Sequence, residues 1–265
     1  MTFQKKLDDL VKKNNSLLCI GLDPVLEKLP KQFLQEKFSF FAFNKFIIDT
    51  THNLVCCYKP NSAFYEALGE KGIGELKKTC DYLKKDYPEI PIILDAKRGD
   101  IGSTNEGYVQ FIFDYLQVDA VTIHPYLGQE AIQPFLDRKE KGIIVLCKTS
   151  NPGAGEFQDL RIGKETIYRK VAKRVVRKWN KNKNCLMVVG ATYPKEVKEI
   201  RKLAGDMTFL VPGIGAQGGD IKQTLQTGLN SQNAGLIMSS SRSIIFAKNP
   251  REEAEKTKNT INRYR

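Results

Sequence analysis

The stretch Ile92-Ile93-Leu94-Asp95-Ala96-Lys97-Arg98-Gly99-Asp100 joins an apolar strand to the pattern Asp-x-Lys-x-x-Asp. Side chains alternate faces along a strand, which places Asp95 and Lys97 on one face and Leu94 and Ala96 on the other. Holding a carboxylate and an ammonium at the end of a buried strand costs desolvation free energy. One use for such a pair is structural, a salt bridge that closes a strand end. The other is chemical, because an ammonium beside a carboxylate can move a proton or stabilise a developing negative charge.

The ends of other apolar runs separate these uses. They read Gly21-Leu22-Asp23-Pro24, Tyr58-Lys59-Pro60-Asn61, His124-Pro125-Tyr126, Lys148-Thr149-Ser150-Asn151, Pro212-Gly213-Ile214-Gly215-Ala216-Gln217-Gly218-Gly219 and Ser239-Ser240-Ser241-Arg242. Polar residues gathered at the same end of strand after strand define a pocket. In the last two, glycines let backbone N–H groups approach an anion. A helix starting near Gly218 would add its positive N-terminal end, and the Arg242 guanidinium a fork for phosphate oxygens. The run 215–219 is not G-x-G-x-x-G, so a nicotinamide dinucleotide is not expected.

The elements that must position these residues are legible as an alternation. Apolar, β-rich runs occur at 17–23, 54–59, 90–97, 120–124, 142–148, 185–190, 209–212 and 235–239. They are continuous rather than alternating, as expected for strands covered on both sides. Amphipathic segments of helical length lie between them at 38–52, 63–87, 104–116, 163–182, 194–204 and 218–227, with a last helix over 243–265. Eight β/α alternations without a long linker predict an α/β fold with a single (β/α)8 TIM barrel over residues 1–265, and a doubly wound open sheet is the alternative. The Gly- and Pro-containing stretch 151–162, after the fifth strand, reads as a mobile active-site loop.

Composition narrows the class. The 265 residues include 41% hydrophobic ones, enough for a large core. No apolar run reaches about 18 residues, and the N-terminus lacks a signal-peptide core, so a cytoplasmic protein is expected. Cys19, Cys56, Cys57, Cys80, Cys147 and Cys185 form no C-x-x-C pair and read as buried reduced thiols. His52 and His124 are too few for a histidine metal site. The net charge of +12 permits nucleic-acid binding, but the lysines are spread along the chain and no RNA-binding or zinc-finger motif accompanies them. A diffuse positive field also suits a small polyanionic substrate.

Lys59, the Asp95-x-Lys97-x-x-Asp100 set, the 212–218 loop and Ser241-Arg242 together resemble orotidine 5′-phosphate decarboxylase. The resemblance runs from about Leu17 to Arg242 and is closest to the subgroup with the string Leu94-Asp95-Ala96-Lys97-Arg98-Gly99-Asp100-Ile101-Gly102-Ser103-Thr104. It implies decarboxylation of orotidine 5′-monophosphate (OMP) to uridine 5′-monophosphate (UMP) without metal or cofactor. It further implies an alternating charge network of Lys59, Asp95, Lys97 and Asp100 in a homodimer, with Asp100 and Thr104 supplied by the second subunit. Asp23 and Lys59 would hold the ribose hydroxyls with Thr104 beside them, and Asn61 would support the network. Ser150 would read the pyrimidine edge, with Thr149 one position away as the alternative, and Pro125 would pack near the base. Gln217 would bridge base and phosphate. Arg242 and the backbone near Gly215 and Ser241 would hold the phosphate. Lys97 would protonate the ring carbanion, leaving His124 a packing role.

Two other readings compete. A barrel enzyme using Mg2+ on a sugar phosphate would need further carboxylates, and Lys59 stands where one would be wanted. A non-enzymatic nucleic-acid binder would account for the charge but not for the polar strand ends.

Overall fold

The computed structural model describes residues 1–214 and 220–265. Its parallel strands are β1 (Leu18–Leu22), β2 (Cys57–Pro60), β3 (Ile93–Arg98), β4 (Ala120–Ile123), β5 (Gly142–Lys148), β6 (Cys185–Val189), β7 (Phe209–Val211) and β8 (Leu236–Ser240). They pair in the order β2-β1-β8-β7-β6-β5-β4-β3. Two parallel bridges, Tyr58 with Ile92 and Asn61 with Asp95, join β2 to β3 and close the ring. The open-sheet alternative is thereby set aside and the (β/α)8 barrel stands.

The continuous apolar runs are explained by burial: every residue of β1, β2, β4, β6, β7 and β8 is buried. Strand interior and helix undersides merge into one core, from Leu18 and Ile20 through Ile143 and Val145 to Ile237. Register then aligns the polar ends. Gly21 lies beside Lys59, and Ile20 beside both Tyr58 and Ser240. Asp23, Lys59 and Ser241 therefore emerge at neighbouring points of one rim.

Several expected helices are interrupted, each for a local reason. The 63–87 segment is two helices, Ser62–Glu66 and Gly69–Asp86, because Gly69 turns the chain at φ +59°, a left-handed value that favours glycine. At the start of the 163–182 segment, Glu165–Thr166 pairs with Arg161–Ile162 as a small antiparallel hairpin turned at Gly163, and the helix begins only at Ile167. The last helix divides into Arg242–Ile245 and Pro250–Arg263; Asn249 caps the second piece and Pro250 takes its first turn.

A helix absent from the alternation scheme, α1 (Phe3–Asn14), lies at the bottom of the barrel. Thr2 caps it by accepting from the Lys5 N–H, and Phe3, Leu7, Leu10 and Val11 form its buried stripe. The principal outer helices that follow are α2 (Ser39–Thr51), α3 (Gly69–Asp86), α4 (Gly102–Val109), α5 (Gly128–Leu136), α6 (Ile167–Arg174), α7 (Pro194–Ala204), α8 (Ile221–Gly228) and α9 (Pro250–Arg263). All six cysteines are buried. Desolvation pushes the thiols of Cys80, Cys147 and Cys185 up to about 12, which removes their nucleophilic form at neutral pH. No described helix is long and apolar enough to cross a membrane.

Candidate active site

Asp95 is the centre of the charged cluster. Its Oδ2 accepts from Lys59 Nζ at 3.0 Å and its Oδ1 from Lys97 Nζ at 2.6 Å. Burial works to raise the Asp95 carboxyl, but the two ammonium charges and their hydrogen bonds outweigh it and hold the group well below the usual carboxylate range. For Lys59, burial works to lower the ammonium, and the negative charges of Asp95 and Asp23 reverse the sign and hold it above the usual lysine range. The two lysines differ in access: the side chain of Lys59 is 6% exposed and that of Lys97 is 49% exposed. Lys59 is an anchor, whereas Lys97 offers its ammonium to the cavity.

Strand alternation puts Asp95 and Lys97 on one face, but the two side chains meet by another route. Lys97 has φ +48°, a left-handed conformation that costs a side-chain-bearing residue strain. Opposite it, the β3–β4 register jumps from Leu94 with Val121 to Arg98 with Ile123, so four steps along β3 face two along β4. The bulge turns the Lys97 side chain back over Asp95.

A cavity of about 690 Å³ opens over this cluster at the C-terminal ends of the strands. Asp23, Lys59, Asn61, Asp95, Lys97, Ser150, Ser241 and Arg242 all line it, with Pro212 and Gly213 from the β7 end. Asp23 Oδ1 accepts the Asn61 N–H at 3.1 Å, while the Asn61 side chain caps the helix Ser62–Glu66 by accepting from Ala63. Gly21 is required for close approach: a Cβ there would stand 2.7 Å from the Ser241 Cβ and 2.9 Å from Asp23 Oδ2. Thr149 and Ser150 both face the cavity. The Thr149 hydroxyl already bonds Asn151 and Gln158. Among the described residues the Ser150 hydroxyl has no such partner, which leaves it available to a ligand.

Asp100, Thr104 and Pro125 do not line this cavity. The Asp100 carboxylate accepts the Ile101 N–H at 2.8 Å and lies partly exposed, and Thr104 is exposed on α4. His124 bonds the Gly99 carbonyl through Nε2 at 3.0 Å, and its Nδ1 faces the Tyr126 N–H at 3.4 Å. Those partners place the proton on Nε2 and give His124 the job of bracing the turn after β3. Gly215 and Gln217 lie outside the described residues. The helix after β7 begins at Ile221 rather than near Gly218, with the Asp220 carboxylate capping it by accepting from Gln223. The positive end of this helix thus already holds an anion of the protein's own.

Three contributors escaped the sequence reading. Thr122 in β4 bonds both Asp95 and Lys97. Gln158 lines the cavity and pairs with Thr149 through both amide atoms. Asn105 is fully buried and clasps the Asp100 main chain and the Ala131 carbonyl. Each is a common polar residue inside an apolar or helical segment, with no motif to mark it. The stretch 151–162 carries its own short helices and is tied down by Asp159, which meets the fully buried Lys148 ammonium at 2.7 Å.

Among the described residues, no three His, Cys, Asp or Glu side chains converge as a metal site would require. The basic residues are not all dispersed: Lys170, Lys173, Arg174, Arg177 and Lys178, already close together in the sequence, line one shallow groove with Glu165.

Fold and site define a (β/α)8-barrel protein with a lysine–aspartate–lysine cluster at the strand ends. The chain belongs to the orotidine 5′-phosphate decarboxylase / HUMPS family, whose model matches residues 16–257. It is 51% identical over 251 residues to an orotidine 5′-phosphate decarboxylase of Cellvibrio japonicus, covering 94% of this chain and 91% of that one. To the enzyme of that name from a Janthinobacterium species it is 44% identical, over 100% and 99% of the two chains. Among solved structures, the OMP decarboxylase of Leishmania donovani superposes with a TM-score of 0.89 at 37% identity, over 100% of this chain and 99% of that one. A putative orotidine-monophosphate decarboxylase of Toxoplasma gondii gives 0.91 at 37% identity, over 99% and 96%.

Proposed function

We propose that Lys59, Asp95 and Lys97 carry out the family's reaction, decarboxylation of OMP to UMP and CO2 in pyrimidine biosynthesis, with Lys97 as proton donor. The observation that carries this reading is the Asp95 carboxylate held between two ammonium groups at 3.0 and 2.6 Å in the floor of the cavity. A substrate carboxylate docked there meets the accessible Lys97 ammonium and lies beside the Asp95 negative charge. When the bond from the ring to the carboxylate breaks, its electron pair stays on the ring carbon. Lys97 stabilises that charge as it develops and then gives it a proton, leaving UMP and a neutral Lys97 amine that recovers a proton from solvent. CO2 is apolar, and Leu146, Val188 and Leu210 give the cavity an apolar wall for it.

The other contacts are those the family resemblance implies, and the cavity lining supports them for Asp23, Lys59, Asn61, Ser150, Ser241 and Arg242. Asp23 and Lys59 face the ribose hydroxyls, with Asn61 holding Asp23 through its backbone. Ser150 reads the pyrimidine edge. Arg242 and the Ser241 turn take the phosphate, with Gly215 and Gln217 as further partners. Phosphate binding far from the breaking bond helps position the reacting carbon. No metal or cofactor enters this scheme.

We further propose a homodimer with shared sites. Asp100 and Thr104 lie outside their own chain's cavity, and the neighbouring Ile101 and Tyr126 expose apolar surface, which supports their use by a second subunit. We also propose a cytoplasmic location, as the sequence leads us to expect. The test is turnover of OMP by the purified protein and by Lys97→Ala. Wild-type turnover should be lost by about ten-thousandfold or more in the variant. Appreciable residual turnover in a folded Lys97→Ala protein would overturn the proton-donor assignment.

A further inference from the structure

We infer that Thr122 is a positioning residue for this reaction: its hydroxyl sets both the Asp95 carboxylate and the strained Lys97 backbone into their working geometry. This rests on the assignment of Asp95 and Lys97 above and extends it to a residue that no motif marks.

Thr122 lies in the middle of β4 and is 1% exposed. Its Oγ1 accepts the Lys97 N–H at 3.0 Å and donates to Asp95 Oδ1 at 2.9 Å. One hydroxyl has one donor and two acceptor sites, so both bonds are made at once and their directions are not interchangeable. An ionised Asp95 only accepts, and a backbone N–H only donates.

The location explains the need. Between Leu94 and Arg98 the β3–β4 ladder is interrupted. The Lys97 N–H faces this gap, with the residue at φ +48°. Without Thr122 that N–H would lack its partner in the protein, at a point where the backbone is already strained. Thr122 therefore holds the bulge that turns Lys97 back onto Asp95.

The second bond acts on the carboxylate. Asp95 Oδ1 receives Lys97 Nζ and the Thr122 hydroxyl, while Oδ2 receives Lys59 Nζ. Three donors fix the carboxylate plane, and Thr122 is the one without charge. A β-branched residue inside a strand has few rotamers, which suits a fixed hydroxyl direction. Threonine at this position reads in the sequence as one more strand-forming residue.

Steady-state decarboxylation of OMP by the full-length enzyme is the test, with Thr122→Val, Thr122→Ser and Thr122→Cys beside wild type and Lys97→Ala. Valine keeps the shape and removes both hydrogen bonds. We expect kcat to fall about tenfold to hundredfold with KM within about threefold, the scale of a lost hydrogen bond to a charged group. Serine should restore kcat to within a few-fold. Affinity for UMP, which lacks the departing carboxylate, should hold steady across the series. Should valine fail to fold, the nearly isosteric Ser and Cys variants make the same comparison, since a thiol is a much weaker donor; kcat should then be lower for cysteine. Wild-type kcat in Thr122→Val, equal kcat for serine and cysteine, or a loss shared equally by kcat and UMP binding would overturn the inference. An inactive wild type would instead refute the assignment beneath it.

Discussion

At the scale of single residues, the candidate site holds opposite charges at short range, with Asp95 and Lys59 largely removed from water. Asp95 is depressed, so its contribution to stability is present above the ordinary carboxylate pKa and lost as pH falls. Lys59 is raised, so its contribution is present below the ordinary lysine pKa and lost as pH rises. Both stay ionised from about pH 4 to 10, and neither produces a limb in a pH–rate profile inside that range. For the same reason, the difference in unfolding free energy between wild type and Asp95→Asn should be flat from about pH 5 to 9 and shrink below about pH 4. Chemical-denaturant unfolding at a series of pH values measures it. At neutral pH the variant is expected to lose about 3 kcal/mol, because Lys59 would remain buried without its hydrogen-bonded anion, with Asp23 left as the nearby negative charge. A difference that grows on acidification would contradict the charge assignment.

At the scale of elements, the loop after β5 is coupled to the barrel by two contacts. Gln158 pairs with Thr149, and Asp159 meets Lys148, whose side chain is 0% exposed. The Lys148 ammonium also lies 4.4 Å from the Tyr193 ring centroid. Removing the Asp159 carboxylate leaves a buried cation without its anion and frees the loop. Asp159→Ala should raise KM for OMP several-fold and speed proteolysis within 151–162, while costing about 1–2 kcal/mol, since Asp159 itself is half-exposed. Unchanged KM and cleavage rate would show that the pair holds nothing in place. This level was unevenly legible in the sequence. Strand positions were clear because a buried parallel strand must be continuously apolar. Helix breaks were missed where the deciding signal was one residue, as at Gly69 or in the Asn249-Pro250 cap. The helix α1 was missed although Thr2 and the Phe3, Leu7, Leu10, Val11 spacing mark it, because the β/α alternation gave it no place. Within the site, Asp95 and Lys97 were visible through charge in an apolar strand. Thr122 and Gln158 were not, because their roles exist only once strands are paired.

At the scale of the whole molecule, the barrel brings residues 23, 59, 95, 97, 150, 241 and 242 to one rim, yet leaves Asp100 and Thr104 outside the cavity of their own chain. Shared sites make a quantitative prediction. A dimer of one Lys97→Ala and one Asp100→Ala chain has one site with both lesions and one with neither. Equal mixing of the two inactive proteins should recover about a quarter of wild-type activity when subunits exchange freely. No recovery despite demonstrated exchange would count against sharing. The net charge of +12 is also a property of this scale. If the positive field steers a phosphorylated, carboxylated substrate inward, kcat/KM should fall as salt rises while kcat stays level.

The most direct test of the central claim follows the ultraviolet absorbance of OMP with purified wild-type protein and with Lys97→Ala, in the presence of EDTA. Steady loss of substrate with release of CO2 is expected from the wild type and essentially none from the folded variant. No turnover by a folded wild-type protein in EDTA, or undiminished turnover by Lys97→Ala, would contradict it.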